Sequence, residues 1–134
     1  MRKRCGIVMA FGLFLLLTAC SSPKEQTEKL QDCEYTVVEQ EQVPKELMEI
    51  IEEKKTDMFK LSYTDEGYLY IVMGYGKQAG GGYSIVVDGL FETTEEICFQ
   101  TTLLGPVKEE QTNVETYPYI VVKMEDIDKD ISYQ

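Results

Sequence analysis

Four cysteines are the residues of this chain best suited to covalent chemistry: Cys5, Cys20, Cys33 and Cys98. The sequence contains no histidine, which excludes Ser-His-Asp and Cys-His catalysis and every histidine-ligated metal site. Cys98 therefore has no imidazole to activate it as a nucleophile. No pair of carboxylates stands apart from the many other acidic residues. We expect neither an enzyme nor a protein that carries a cofactor or a metal ion.

Cys20 ends a segment that is typical of exported proteins. Residues 2–4 are basic, residues 6–17 form an apolar run, and Thr18 and Ala19 precede Cys20. Such a start describes a secretory signal peptide, and the run is too short to span a bilayer core of ~30 Å. The ending resembles the lipobox of bacterial lipoproteins, which implies transfer of a diacylglyceryl group to Cys20 and cleavage before it. The alternative is an ordinary signal peptide whose cleavage site ends in Cys.

This pattern divides the chain into three parts. Residues 1–19 are predicted to be the lipoprotein signal peptide, and residues 20–34 the lipidated Cys20 with a flexible polar tether. Residues 35–134 form one domain, a size sufficient for a core without metals or disulfides. Two acyl chains give stable anchoring. We therefore expect an extracytoplasmic protein whose membrane partner is lipid, reached through acylated Cys20.

The charge of the chain is strongly negative. There are 13 basic and 24 acidic residues, a formal charge of −11. Removal of Arg2, Lys3 and Arg4 with the signal leaves 10 basic residues against 24 acidic ones, or −14. A surface this acidic repels phosphate backbones and anionic headgroups, so nucleic acid is not expected as a partner.

Two cysteines remain in the processed chain beside Cys20. Cys33 lies at the end of the tether and Cys98 in a predicted strand. Outside the cytoplasm the two could form a disulfide. Two free thiols, with Cys98 in the core, are the alternative reading.

The hydrophobic pattern predicts an α+β domain, mainly an antiparallel sheet with one amphipathic helix. The helix is predicted over residues 44–55, because Leu47, Ile50 and Ile51 recur at helical spacing and Pro44 suits a first turn. Strands are predicted over residues 35–38, 58–64, 68–75, 83–88, 96–103 and 118–124. Residues 65–67 are expected to join a hairpin.

Two segments have compositions that could serve recognition. Gly80, Gly81 and Gly82 permit positive φ and close backbone approach, and Tyr83 follows them. Tyr117 and Tyr119 flank a proline at the start of the last predicted strand, and tyrosine is enriched at interfaces. The structural alternative is a hairpin loop that needs glycine for its geometry and ordinary strand tyrosines.

These two segments also carry a family resemblance. Residues 76–85 read GKQAGGGYSI and residues 116–124 read TYPYIVVKM, with Gly105-Pro106 between them. The pairing resembles the C-terminal domain of the PrcB family, lipoprotein subunits of bacterial protease complexes. The resemblance implies a lipid-anchored accessory subunit whose partner is an exported serine protease. Ala79-Gly80 stands where the family usually has Pro-Thr, so the glycine segment lacks that restriction here.

We therefore predict a noncatalytic protein-binding module whose partner-binding residues are those of the two segments, which we expect to lie side by side as one patch. They are Gly80, Gly81, Gly82, Tyr83, Tyr117 and Tyr119. The alternative function is a protease inhibitor that presents the glycine-rich loop. Asp126, Asp128 and Asp130 alternate like the start of a calcium loop, but Ile131 replaces the required glycine, which favours a solvated tail.

Overall fold

The computed structural model describes residues 29–134, which form eight strands and one α-helix. The predicted α+β class, mainly antiparallel with a single helix, is confirmed. The strands are β1 (Lys29–Asp32), β2 (Tyr35–Val37), β3 (Met58–Asp65), β4 (Tyr68–Tyr75), β5 (Ser84–Thr93), β6 (Glu96–Leu104), β7 (Tyr119–Glu125) and β8 (Asp130–Tyr133), and the helix is α1 (Lys45–Lys54). Short 3-10 turns lie at Gln40–Gln42 and Lys108–Glu110.

The strands form two four-stranded sheets. The first has the order β2-β7-β4-β3 and is antiparallel throughout. The second has the order β1-β5-β6-β8, in which only the β6–β8 pair is parallel. We call them the first and second sheets.

The central strands of the first sheet are apolar on both faces. Leu69 and Ile71 of β4 belong to the core between the sheets, together with Ile97 and Phe99 of β6. Tyr70 and Val72, which alternate with them, belong to a second core beneath α1. The middle of β4 is therefore buried on both faces of the sheet.

Helix α1 covers the outer face of the first sheet. Leu47 and Ile51 are fully buried there, as their helical spacing predicts. Tyr63 of β3 donates a hydrogen bond of 2.7 Å to Glu46 in the first turn. That bond, with smaller contributions from desolvation and nearby charge, raises the pKa of Tyr63 to about 12.

The turns follow local chemistry. The β3–β4 hairpin is closed by Glu66 and Gly67, both with positive φ, which is the geometry of a two-residue turn matched to strand twist. Thr93 organises the β5–β6 turn, since its Oγ1 accepts from the backbone N–H groups of Glu95 and Glu96 at 3.3 and 3.0 Å.

The two ends of the domain contain strands that the sequence analysis did not predict. The last part of the predicted flexible tether, Lys29–Asp32, is strand β1, which pairs with β5 although all four of its residues are exposed. The predicted solvated tail contains strand β8, which begins at Asp130 and packs Ile131 and Tyr133 on the core between the sheets. In both cases the ladder of a neighbouring strand supplies the order that the local composition lacks.

Replacing Val122 with Asp tests the assignment of β7. Val122 is fully buried in the core between the sheets, so the variant should lose about 3–5 kcal/mol of unfolding free energy through a buried unpaired charge. Val37→Asp is the matched control, because Val37 pairs with Val122 but is 52% exposed. Urea denaturation of both proteins measures the difference, and equal midpoints would show that the β7 register is wrong.

Candidate functional site

The glycine segment and the segment before β7 lie side by side. Gln78 and Thr116 form an isolated bridge, in which each backbone N–H donates to the other carbonyl at 2.8 and 3.1 Å. The Thr116 hydroxyl donates to the carbonyl of Gly80 at 2.6 Å. Gly81 forms a second bridge with Thr112, whose Oγ1 accepts its N–H at 3.0 Å. These contacts hold the two segments side by side and form the base of the candidate site.

The glycines are required by contacts within this chain. A Cβ at Gly81 would lie 2.6 Å from the Thr112 hydroxyl, and one at Gly82 would lie 2.5 Å from Cβ of Pro106. Gly82 also has a φ of 90°, which L residues rarely adopt. The close backbone approach that glycine permits is therefore used to seat the β6–β7 connection, and this accounts for the glycines without a ligand.

Tyr117 directly follows the bridged residue Thr116 and is partly exposed at the surface. Its ring is half-buried, and the Nζ of Lys55 sits 5.3 Å from the ring centroid. Lys55 follows the last residue of α1, so this cation–π contact joins the helix end to the segment before β7. Sequence reasoning missed Lys55, because nothing in the local pattern shows which ring a helix terminus will meet.

Tyr119 is placed differently from Tyr117. It packs against the core beneath α1, and its hydroxyl donates to Sδ of Met48 at 3.6 Å. Burial is the main cause that raises the pKa of Tyr119. A ring held this way contributes to helix packing and presents only part of its surface.

Tyr83 and the three glycines differ in their exposure. Gly82 is exposed, Gly80 and Tyr83 are half-buried, and Gly81 is buried. Tyr83 directly precedes β5. The accessible part of the predicted site is thus smaller than the six residues proposed from sequence, and Tyr83 and Tyr117 are its two tyrosines that do not pack on a core cluster.

The two cysteines within the described residues are free. Cys33 packs on the core between the sheets, whereas Cys98 alternates with Ile97 and Phe99, which face that core. The thiols therefore lie on opposite faces of the second sheet. Burial is the main cause that raises both thiol pKa values. Of the two readings left open by the sequence, the structure has the free thiols.

Cys20, the signal peptide and residues 21–28 lie outside the described residues, and so does most of the predicted tether. Asp126, Asp128 and Asp130 are exposed. Residues 29–134 contain no group of three or more Cys, Asp or Glu side chains arranged to hold a metal ion. Over the same range, α1 and the 3-10 turns fall short of the length and apolar content that a membrane-crossing helix requires.

The two bridged segments fall inside a stretch that matches a protein-family model. Residues 69–125 match the family described as PrcB C-terminal. The PrcB C-terminal match begins at the second residue of β4 and ends at the last residue of β7. It therefore spans four consecutive strands, the glycine segment and the β6–β7 connection. No curated protein and no solved structure matches the chain.

Gly82→Ala tests the structural role of the glycine segment. The positive φ and the clash with Pro106 and the Glu110 carbonyl should cost roughly 1–3 kcal/mol of unfolding free energy. Gly105→Ala is the control, since a Cβ there has no neighbour within 4 Å. Chemical denaturation compares the two variants. A Gly82→Ala protein as stable as Gly105→Ala would contradict the packing of this segment.

Proposed function

We propose that this protein is a noncatalytic, protein-binding subunit of an extracytoplasmic protease complex, held at the membrane by acylated Cys20. The single observation that carries the proposal is the PrcB C-terminal match over residues 69–125. The partner we propose is an exported serine protease. The match includes the strands and loops that form the base of the candidate site, so the region of family likeness and the region of the site coincide.

The geometry around Tyr117 supports a role in binding. The segment that carries it is fixed on one side by the Gln78–Thr116 bridge and on the other by the bond from Tyr75 N–H to the Pro118 carbonyl at 3.0 Å. A ring on such a base loses little conformational freedom on binding, which favours affinity. Lys55, which pairs with Glu52 at 2.8 Å, lies over the ring and helps to hold it in place. We propose Tyr117 as the aromatic anchor.

The noncatalytic assignment rests on the chemistry of the chain's own nucleophiles. The thiols of Cys33 and Cys98 have raised pKa values, mainly through burial, so they stay protonated near neutral pH and react poorly. The chain has no histidine that could serve as a base for them or for a hydroxyl group.

The inhibitor alternative receives less support from the geometry. An inhibitory loop must project its backbone into an active-site cleft, but the N–H of Gly81 and the carbonyl of Gly80 are already bonded to Thr112 and Thr116. The glycine segment therefore presents its free surface mainly at Gly82. We favour the accessory role.

Cys20→Ala tests the attachment of the protein to the membrane by lipid. Loss of the acyl chains should move the protein from the membrane fraction to the soluble extracytoplasmic fraction, because lipid supplies the attachment. Cys33→Ala is the control and should remain with the membrane. Fractionation followed by immunoblotting measures both. A Cys20→Ala protein that stays in the membrane fraction would overturn lipid anchoring.

Tyr117→Ala tests whether Tyr117 binds the partner protein. Immunoprecipitation of the wild-type protein from solubilised cell envelopes should recover an exported protease, and the variant should bind it about 2 kcal/mol more weakly. Tyr68→Ala is a close control, because Tyr68 is 45% exposed, also has a lysine, Lys123, over its ring at 4.2 Å, and lies at the opposite end of β4.

The melting temperature separates binding from folding in this experiment. An anchor loses affinity while the variant melts near the parent protein. If Tyr117→Ala melts early and its folded fraction binds the protease normally, Tyr117 is a structural residue. Failure of the wild-type protein to recover any exported protease would contradict the proposed complex itself.

A further inference from the structure

Strand β3 leaves one long edge of the first sheet open. It is eight residues long and is an edge strand of the sheet, whose strand order is β2-β7-β4-β3. Its only strand neighbour among the described residues is therefore β4. An open edge presents unpaired N–H and C=O groups that can pair with another extended chain. The other edge of this sheet, β2, is only three residues long.

The backbone groups that face outward can be identified from the ladder. Tyr75 donates its N–H to the carbonyl of Pro118, on the β7 side. Its partner Met58 therefore receives no bond from it and turns its own backbone groups away from β4. The alternation repeats every second residue. The outward groups of β3 belong to Met58, Lys60, Ser62 and Thr64.

The same four residues direct their side chains toward the second sheet. They pair with Tyr75, Met73, Ile71 and Leu69, and the last three belong to or pack on the core between the sheets. A cavity of about 440 Å³ opens between the sheets beside Met58 and Lys60. Its lining includes the side chains of Met73, Phe99 and Tyr133. Met58 at its edge is 65% exposed, so an apolar space lies directly beside the open edge.

The surroundings of the other half of β3 are acidic. Beside Ser62 and Thr64 runs a groove whose lining includes Glu96, Asp126, Asp128 and Asp130. Two lysines also border it, against the four carboxylates. Lys129 pairs with Glu92 at 2.6 Å, and the Nζ of Lys60 lies 5.5 Å from the ring centroid of Tyr133. The groove thus favours a positively charged occupant.

We propose that β3 binds an extended segment of the partner protein, which adds a fifth strand to the first sheet. The segment carries a large apolar side chain opposite Met58 or Lys60, where it fills the cavity between the sheets. It carries Lys or Arg opposite Ser62 or Thr64, on the same face, where it meets the acidic groove. A second copy of this chain is a poor occupant, because two processed chains of formal charge −14 repel one another.

This inference rests on the proposed function, since it describes how the partner is held. The spacing of the two side chains follows from strand geometry, in which residues on one face are two or four positions apart. Tyr75 connects the two surfaces, because it lines the cavity and bonds to the residue after Tyr117. One partner can therefore reach both the open edge and Tyr117.

The direct test uses a capped eight-residue peptide with a Thr and Val background, Arg at its second and fourth positions and Phe at its sixth. Added antiparallel to β3, like the other strands of this sheet, it sets Arg opposite Thr64 and Ser62 and Phe opposite Lys60. Binding should slow hydrogen exchange at the amides of Lys60, Ser62 and Thr64, which point to solvent in the free protein. A peptide with Glu in place of both Arg residues should bind at least tenfold more weakly at low salt. Equal binding of the two peptides, or unchanged exchange at these amides, overturns the proposal.

A proline substitution separates the edge from the rest of the protein. Ser62→Pro removes an outward N–H and blocks pairing without removing a bond to β4, so it should weaken peptide binding at least tenfold. Val37→Pro is the matched control on the opposite edge: Val38 bonds to Val121, so the N–H of Val37 points outward. Melting temperatures verify that both variants fold. If Ser62→Pro lowers the melting temperature, the amide-exchange comparison on the wild-type protein still decides the question.

Recovery of the protease distinguishes this inference from the proposed function. Wild-type protein and Val37→Pro should both recover the exported protease from solubilised envelopes, and Ser62→Pro should recover at least tenfold less. Equal recovery by folded Ser62→Pro overturns the edge inference and leaves the accessory role standing. Absence of an exported protease from the wild-type sample contradicts the accessory role, whatever the peptide does.

Discussion

The apolar character of both faces of β4 and β7 is the constraint on which the rest of the structure depends. Leu69 and Val122 face the second sheet, while Tyr70 and Val121 face the helix. A sheet that is apolar on both sides must be covered on both sides. The second sheet covers one face and α1 covers the other. Along the chain, α1 precedes β3, and most of the second sheet follows β4. The PrcB C-terminal match begins and ends within this strand pair.

The candidate site follows from how the chain returns to that pair. After β6 the connection must travel back to start β7 beside β4, and it is held on the way by the bridges to Gln78 and Gly81. The glycines let the two backbones meet closely, at Gly82 and the Glu110 carbonyl. This path of the β6–β7 connection places Tyr117 at the end of α1, beside Lys55. A loop that is necessary for the topology thereby gives a firm position to the ring that we propose as an anchor.

The sequence predicts much of this fold and less of its site. Helix α1 and the β3–β4 hairpin can be read from Leu47 and Ile51 and from the Glu66-Gly67 turn, because their signals are local. Strands β1 and β8 could not be predicted, since Lys29–Asp32 is wholly exposed and gains its order only from pairing with β5. The juxtaposition of the glycine and tyrosine segments agrees with the sequence reasoning. The inward packing of Tyr119 does not follow from composition, because it depends on where Met48 of the helix lies.

The open edge at β3 has a physical origin in the same arrangement. In the second sheet both edge strands are four residues long, and short edges resist unwanted pairing. Strand β3 is long because it pairs with the whole of β4 and carries Phe59, Leu61 and Tyr63 beneath the helix. Its other side chains face the second sheet, and Met58 and Lys60 among them line the cavity between the sheets. Among the four residues of β3 whose backbone groups point outward, Lys60 is the one with a charged side chain. Its positive charge lies on an edge that would otherwise pair easily with a second copy of this chain. An edge of this kind opposes pairing with its own copy yet stays available to a chain of complementary shape and charge.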